Sequence, residues 1–284
     1  MTLTDTYTLA NGEKIPVVGF GTWQTPDGDV AEQSVIEAIK AGYRHIDTAA
    51  AYKNEVSVGR GIANSGVARD KLYVTTKIWN DIVTYEGAVA AIDESLAKLG
   101  LTYVDLFLIH WPNPAPTRET IGYEKRNADV WRALEEAVTV GKIKSIGVSN
   151  FRPHHIDALL KTAKIAPVVN QLYVNPSDQQ EEVVAYGKAH NILTEAYSPL
   201  GTGDVLSVPA LVAIAEKHGK SPAQVALKWS LQKGYLPLPK SVTPARIVEN
   251  GELFDLDLSA EEIATIDGLH GTIRLTSNPD ETGF

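Results

Sequence analysis

Eight short apolar segments, each followed by a stretch with helical spacing, restrict the folds open to this chain more than any other feature. They are "YRHID" (43–47), "LYVTTK" (72–77), "VDLFLIH" (104–110), "IKSIGVS" (143–149), "PVVNQL" (167–172), "ILTEAYS" (192–198), "YLPLPK" (235–240) and "ELFDL" (252–256). Between them, residues 84–99 place Tyr85, Ala88, Val89, Ile92, Leu96 and Leu99 at helical spacing and stop at Gly100. "ADVWRALEEAVTV" stops at Gly141 in the same way, and "SPAQVALKWSLQKG" opens with Ser221 as N-cap and Pro222 at the first helical position. "SAEEIATIDGL" carries Ser259 and Glu262 at capping-box spacing. Such alternation implies a parallel sheet with helices outside it. The closed (β/α)8 TIM barrel is the first reading, and the open doubly wound sheet the second. An N-terminal β-hairpin precedes the series, because "YTLANGEKIPVVG" sets two apolar runs around Asn11-Gly12. No linker or low-complexity segment divides the chain, so residues 1–284 read as a single domain, a size that α/β barrels reach.

In a barrel of this kind chemistry gathers where strands end. Here the strands end on Asp47, Lys77, His110, Ser149-Asn150, Gln171, Tyr197-Ser198 and Lys240-Ser241. Tyr52 follows Asp47 by five residues. A phenol has a reference pKa of about 10, too high for a good acid near neutrality. An ammonium beside it favours the phenolate, so Lys77 is expected to lower the value for Tyr52. A buried lysine tends to lose its proton, and a carboxylate such as Asp47 holds the charge in place. His110 could orient a polar substrate atom beside the phenol. Taken singly, each residue has a plainer reading: Asp47 as a cap, Tyr52 as packing, Lys77 as solvated surface, His110 as a satisfied core residue. Their arrival together at successive strand ends favours proton donation to a carbonyl oxygen. The other equivalent must then come from a hydride donor.

The bulk numbers exclude several alternatives. A net charge of −9 argues against a nucleic-acid partner. The absence of cysteine excludes disulfides, thiolate catalysis and sulfur-ligated metals, and it fits a cytoplasmic location. No run of about twenty apolar residues suggests a membrane span, and the first residues lack the features of a signal peptide. Tyr73 and Lys77 have the Tyr-x-x-x-Lys spacing of a short-chain dehydrogenase, but Val74, Thr75 and Thr76 argue for a strand. "GFGTWQ" (19–24) lacks the third glycine and the following helix of a Rossmann fingerprint. A glycosidase needs paired carboxylates across the barrel mouth, and Glu195 lies inside its strand rather than at its end. His154 and His155 are adjacent and are expected to face different ways on a helix, so no metal site is read.

Three longer motifs carry a family resemblance. "GYRHIDTAAAYKNEVSVG" (42–59), "KSIGVSNF" (144–151) and "LPKSVTPARIVEN" (238–250) resemble, in order, the three signatures of the aldo-keto reductases. The match runs from "GFGTW" to past Asn250 and is closest to the prokaryotic 2,5-diketo-gluconate reductase-like branch. The resemblance implies a (β/α)8 barrel that binds NADPH (NADP+ after turnover) without a Rossmann domain and reduces small-molecule carbonyl substrates. It implies Tyr52 as general acid, Lys77 and Asp47 tuning it, and His110 orienting the carbonyl. Ser149, Asn150 and Gln171 would hold the nicotinamide carboxamide, with Tyr197 stacked on the ring. Gly21 and Thr22 would also touch the cofactor, and Ser198, Leu200 and Gly201 would follow the pyrophosphate. Lys240, Ser241, Val242, Arg246, Glu249 and Asn250 would hold the adenosine end. The cations Lys240 and Arg246 around Ser241, before a helix start at Thr243-Pro244, independently suit a 2′-phosphate. Trp23, Trp79 and Trp111 would wall the substrate pocket, although core filling is a common task for tryptophan. The resemblance also implies a monomer and a variable tail that closes over substrate. One departure stands out: Gly251 replaces an expected larger apolar residue, and is expected to loosen entry to the last strand. The rival of another class is a nucleotide-binding regulatory or structural protein on the same barrel.

Overall fold

Asn11-Gly12 makes the turn its composition favours, with Gly12 at φ 88°, a value open to glycine. The strands beside it, β1 (Thr6–Thr8) and β2 (Lys14–Pro16), pair antiparallel with Tyr7 opposite Ile15. The computed structural model describes residues 2–284. Beyond the hairpin come β3 (Phe20–Gly21), α1 (Asp29–Lys40), β4 (His45–Asp47), α2 (Glu55–Asn64), β5 (Tyr73–Ile78) and α3 (Tyr85–Leu99). They are followed by β6 (Val104–Ile109), α4 (Tyr123–Thr139), β7 (Ile143–Ser149), α5 (Pro153–Leu160), β8 (Val169–Tyr173) and α6 (Glu181–Ala189). The last elements are β9 (Leu193–Tyr197), α7 (Pro209–His218), α8 (Pro222–Gln232), β10 (Leu236–Leu238), α9 (Pro244–Glu249) and α10 (Ala260–Asp267).

Strands β3 to β10 form one parallel sheet in chain order. Gly19 N donates to Pro237 O at 3.1 Å and Gly21 N to Pro239 O at 3.0 Å, which brings the first barrel strand against the last. Glycine is required at this seam: a β-carbon on Gly19 would stand 2.5 Å from Leu238 Cδ2 and 2.6 Å from His45 Nδ1. The (β/α)8 barrel is therefore observed, but its eight strands are not the eight expected. Phe20–Gly21 is a barrel strand, and residues 252–256 are not. Two residues, one of them glycine, carry no readable period, and glycine is depleted in strands. In 252–258, Leu253, Leu256 and Leu258 are buried, and Leu256 and Leu258 alternate with exposed Asp255 and Asp257 as in a strand. Backbone groups at the two ends of this stretch are met by side chains of α8 instead of by a neighbouring strand. Gln224 Nε2 donates to Glu249 O and Glu252 O (3.2 and 3.0 Å), and Gln232 pairs with both N and O of Leu258 (2.9 and 3.0 Å). Gly251 accordingly loosens no strand. A β-carbon there would lie 3.0 Å from Leu3 Cδ1 and 3.4 Å from Tyr43 Cε2, so glycine lets the turn sit close on the body.

The period of two sorts each strand's side chains into two layers. Val74, Ile78, Phe107, Ile109, Ile146 and Val148 join Val35, Ile39, Ile92, Leu96, Trp131 and Leu134 of the helices in one buried cluster. Each such side chain contributes about 1.5–3 kcal/mol by leaving water. A second cluster lies within the barrel, where Leu9 and Ile15 of the hairpin pack with Tyr73, Leu106, Leu108, Val169, Leu236 and Leu238. Moving along the strands from that apolar floor, the inward positions turn polar: His45 and Asp47, Thr75 and Lys77, Gln171, Glu195 and Tyr197. The barrel thus delivers ionisable groups to one end of a dry interior.

Candidate active site

Lys77 is buried on β5, and its ammonium has a hydrogen-bond partner in each of three places. Nζ donates to Asp47 Oδ1 at 2.7 Å, to Thr48 O at 2.8 Å and to the Tyr52 hydroxyl at 3.2 Å. Tyr52 ends a 3-10 turn, Ala50–Tyr52, and Lys53 after it takes a left-handed φ of 57° that ends the turn. The His110 ring meets the Tyr52 ring edge to face, centroids 5.7 Å apart, and lies 5.0 Å from Trp79. Neither ring nitrogen of His110 has a hydrogen-bond partner among the described residues, and Nδ1 is buried. The four residues expected to act together are therefore brought together.

Their protonation follows from burial set against charge. Burial alone would push Lys77 down, but the Asp47 carboxylate and Tyr52 beside it hold the ammonium above its usual value. His110 is kept well below the usual histidine value by burial, then by the charges of Lys77 and Arg126, so its ring is neutral at pH 7. Tyr52 departs from expectation. Burial raises it, the Lys77 charge pulls it down, and the Asp47 charge pushes it up again, with a net shift upward. The sequence named the ammonium and could not weigh the loss of water around the phenol. Tyr52 consequently stays protonated through the neutral range, the state an acid needs.

A second network adjoins the first. Asn150, at a left-handed φ of 61°, donates through Nδ2 to His110 O and Ser149 Oγ, both at 3.1 Å. Its Oδ1 accepts from the Tyr197 hydroxyl at 2.9 Å, and Ser149 Oγ donates to Gln171 O at 2.8 Å. Gln171 Nε2 donates to Asp47 Oδ2 at 2.9 Å. Gln171 and Asn150 are thus tied directly to the Asp47–Lys77–Tyr52–His110 group, and Ser149 and Tyr197 are tied to it through them. Just past β3, beside β4, Thr22 N and Oγ1 donate to Asp47 O (3.0 and 2.9 Å). Gly21 lies against the β10 end, where a β-carbon on it would be 3.8 Å from Lys240 Cβ.

Further along the rim, Ser198 (φ 47°) and Gly201 (φ 55°) turn the chain after β9, with Leu200 between them. A β-carbon on Gly201 would stand 2.3 Å from Ile273 Cδ1, so only glycine fits. Lys240 Nζ donates to Gln24 O at 3.3 Å, and Ser241 Oγ accepts from Thr243 N at 3.0 Å. Ser241 and Asn250 are buried, Glu249 is half-buried, and Val242 and Arg246 are exposed. Neither Lys240 nor Arg246 makes an ion pair among the described residues, so both remain able to meet an anion.

Aromatic residues cover His110. The Phe284 ring stacks on Trp79 (6.1 Å) and meets Trp111 edge to face (4.8 Å). Trp23, in contrast, is 44% exposed and makes no ring contact among the described residues. The loops bearing Trp79 and Trp111 are held from below by Arg126 on α4, which is fully buried. Its guanidinium donates to Ile82 O (3.1 Å), Trp111 O (2.9 Å) and Trp79 O (3.2 Å). Replacing it leaves the carbonyls of Ile82 and Trp111 unpaired and takes from Trp79 O one of its two donors, the other being Ile82 N at 3.3 Å. Arg126→Met is expected to cost about 2–3 kcal/mol of stability, read as a lower urea midpoint, and to raise KM for the substrate through displaced tryptophans.

The profile of the Aldo/keto reductase family matches residues 17–270. The chain belongs to that family. A glyoxal reductase of Bacillus subtilis strain 168 is 48% identical over 282 residues, covering 99% of both chains. The crystal structure of an aldo/keto reductase from Brucella melitensis superposes with a TM-score of 0.88 at 45% identity, over 95% of this chain and 99% of that one. That of a Bombyx mori aldo-keto reductase in complex with NADP gives 0.87 at 39% identity, over 96% and 95%.

Several residues of this aldo-keto reductase escaped sequence reasoning. Phe284 and Arg126 lie far in sequence from the tryptophans they support. Glu195 is fully buried in β9 and also accepts from Gln171 Nε2, at 2.8 Å. Its place in "TEAY", two residues before Tyr197, was the available signal, since both must share one face of a strand. His154 and His155 do not face different ways: their Nε2 atoms reach the two oxygens of Asp280 at 3.2 and 2.9 Å. The surroundings nevertheless suit a clasp on the tail better than a cation site. His155 Nδ1 accepts from Arg152 N at 3.1 Å, so the ring proton sits on Nε2, facing Asp280. A metal-bound histidine normally donates through its second nitrogen instead. Asn113 Nδ2 adds a third tie to Asp280 at 2.8 Å.

Proposed function

We propose that this aldo-keto reductase reduces an aldehyde or ketone to an alcohol with NADPH, and that Tyr52 is the general acid. One observation carries the reading: the Tyr52 hydroxyl and Asp47 share the buried Lys77 ammonium beside a neutral His110. A regulatory or structural barrel that only bound the nucleotide would have no use for that arrangement. NADPH, when bound, supplies the hydride. The chain's own residues do the rest. Tyr52 gives its proton to the carbonyl oxygen, and Lys77, held charged by Asp47, offsets the charge left on the phenolate. His110, being neutral, points an N–H at that oxygen and orients it. Trp79, Trp111 and Phe284 keep water away, with Trp23 at the outer wall. Ser149, Asn150 and Gln171 hold the carboxamide and Tyr197 lies on the ring. Gly21, Thr22, Ser198, Leu200 and Gly201 follow the pyrophosphate, and Lys240, Ser241, Val242, Arg246, Glu249 and Asn250 the adenosine end. The residues fit the cofactor, since Lys240 and Arg246 carry no carboxylate partner among the described residues and flank the buried Ser241 at the start of α9. The NADP-bound Bombyx mori relative supports the choice of nucleotide, and the glyoxal reductase supports small aldehydes and dicarbonyls as substrates.

Loss of reduced-cofactor absorbance on mixing with NADPH and a panel of carbonyls tests the reading; binding without turnover on every member would favour the regulatory rival. Arg246→Ala is expected to weaken NADPH by about 1.5–3 kcal/mol and leave NADH unchanged, since only NADPH has the 2′-phosphate. Equal affinity for NADPH in titrations of both proteins would remove Arg246 from that site. We place the enzyme in the cytoplasm as a single-domain monomer, with no nucleic-acid or membrane partner. No helix among the described residues is long and apolar enough to cross a membrane. Sedimentation at more than one chain's mass of 30.7 kDa would overturn the monomer.

A further inference from the structure

Glu195 is a buried carboxyl inside the barrel that the mechanism above leaves without a task. Strand register places it beside Gln171, in the layer of Asp47. The Gln171 amide nitrogen has two hydrogens, and each is taken by a different carboxyl: Asp47 Oδ2 at 2.9 Å and Glu195 Oε2 at 2.8 Å. Both donors are spent, so the amide plane is fixed at two points and only its carbonyl oxygen is left for a ligand. The second oxygen of Glu195, Oε1, is buried without a hydrogen-bond partner, 4.0 Å from His45 Nε2. A carboxyl with one hydrogen bond and no exposure is a poor choice for stability, and an apolar side chain would be cheaper there.

We propose that Glu195 is a positioning residue: with Asp47 it holds the Gln171 amide so that its oxygen meets the nicotinamide carboxamide, and its charge responds to that of the ring. This rests on the reading above that Gln171 receives the carboxamide. Asp47 Oδ1 meets the Lys77 ammonium at 2.7 Å, whereas Glu195 has no cation within hydrogen-bond reach, and two carboxylates on one amide disfavour a second ionisation. Burial, then the Asp47 charge, pushes Glu195 up to about 8, so it is neutral at pH 7 and ionises just above. The other groups facing it do not titrate there. Burial, then the Lys77 charge, pushes His45 down to about 3, and His110 lies well below its usual value. Tyr52, Tyr73, Lys77 and Tyr197 all lie above theirs. The oxidised nicotinamide ring is cationic and the reduced ring neutral. An ionised Glu195 therefore favours NADP+ over NADPH, and by linkage NADP+ must tighten relative to NADPH as pH rises through about 8. The phosphates are common to both nucleotides and cancel in the ratio.

Dissociation constants for NADPH and NADP+, from tryptophan fluorescence between about pH 6 and 10, test this in wild type, Glu195→Gln and Glu195→Leu. In wild type the ratio of NADP+ to NADPH constants is expected to fall by about three- to tenfold across the inflection. Glu195→Gln keeps an acceptor for Gln171 but cannot ionise, so it should bind NADPH within about twofold of wild type at pH 7 and show a flat ratio. Glu195→Leu frees one amide hydrogen and should weaken NADPH by about tenfold with an unchanged or raised Tm. A packing role would instead lower Tm in the leucine variant and leave every ratio alone. A persistent inflection in Glu195→Gln, or wild-type affinity in Glu195→Leu, overturns the proposal while wild-type binding and turnover preserve the functional reading. If wild type binds neither nucleotide, both fall together.

Discussion

Tyr52→Phe is expected to lower kcat/KM for carbonyl reduction by about 10²–10⁴-fold, the usual contribution of a general acid, while NADPH binds as before. The substitution removes one oxygen and little else. Lys77 keeps Asp47 Oδ1 and Thr48 O as partners, so the buried ammonium stays satisfied and Tm should barely move. The phenyl ring still packs edge to face on His110. A stopped-flow single turnover separates chemistry from product release, and the loss must appear in the hydride step. Full activity in the phenylalanine variant would take the proton from some other group and end the role assigned to Tyr52.

Lys77→Met is expected to cost both stability and turnover. It leaves Asp47 buried without its cation, and removing one partner of a buried pair costs about 3–5 kcal/mol. Turnover should fall by about 10²-fold or more, because the phenolate left after proton transfer loses its stabilising charge. The pH dependence has a definite sign. Lys77 is held above its usual 10.5 in the folded chain, so its stabilisation is fully present below that value and is lost as pH rises through the folded one. The gap in urea stability between wild type and variant should be flat across neutral pH and narrow in strong alkali. A gap that is small at pH 7, or widens in alkali, would contradict the charge assignment.

The site was legible because most of its polar groups lie at or near the ends of apolar strands, and such strands show themselves by length and composition; Tyr52, in the 3-10 turn after β4, was found from its spacing to Asp47. Asp47, Lys77, His110 and Ser149 could be named from that rule. The barrel strand Phe20–Gly21 could not, since two residues, one of them glycine, leave no pattern, while the short apolar run in 252–256 imitates one. The expected lowering of Tyr52 failed for another reason. A sequence shows which charges approach a phenol but not how much water leaves it, and here burial outweighs the ammonium. Arg126, Phe284 and Glu195 lie outside local reasoning altogether, because their partners are brought to them only by the closed fold.

The seam at Gly19 and Gly21 bears on how the chain reaches that fold. A sheet whose first and last strands come from opposite ends of the sequence cannot close during synthesis until β10 has left the ribosome. Before then the nascent sheet, grown from β3 to β9, has two bare edges, each a row of unpaired backbone groups open to other chains. The two glycine amides that finish the barrel also remove those edges, so an obstruction at position 19, where a β-carbon would stand 2.5 Å from Leu238, would be felt first as aggregation during synthesis.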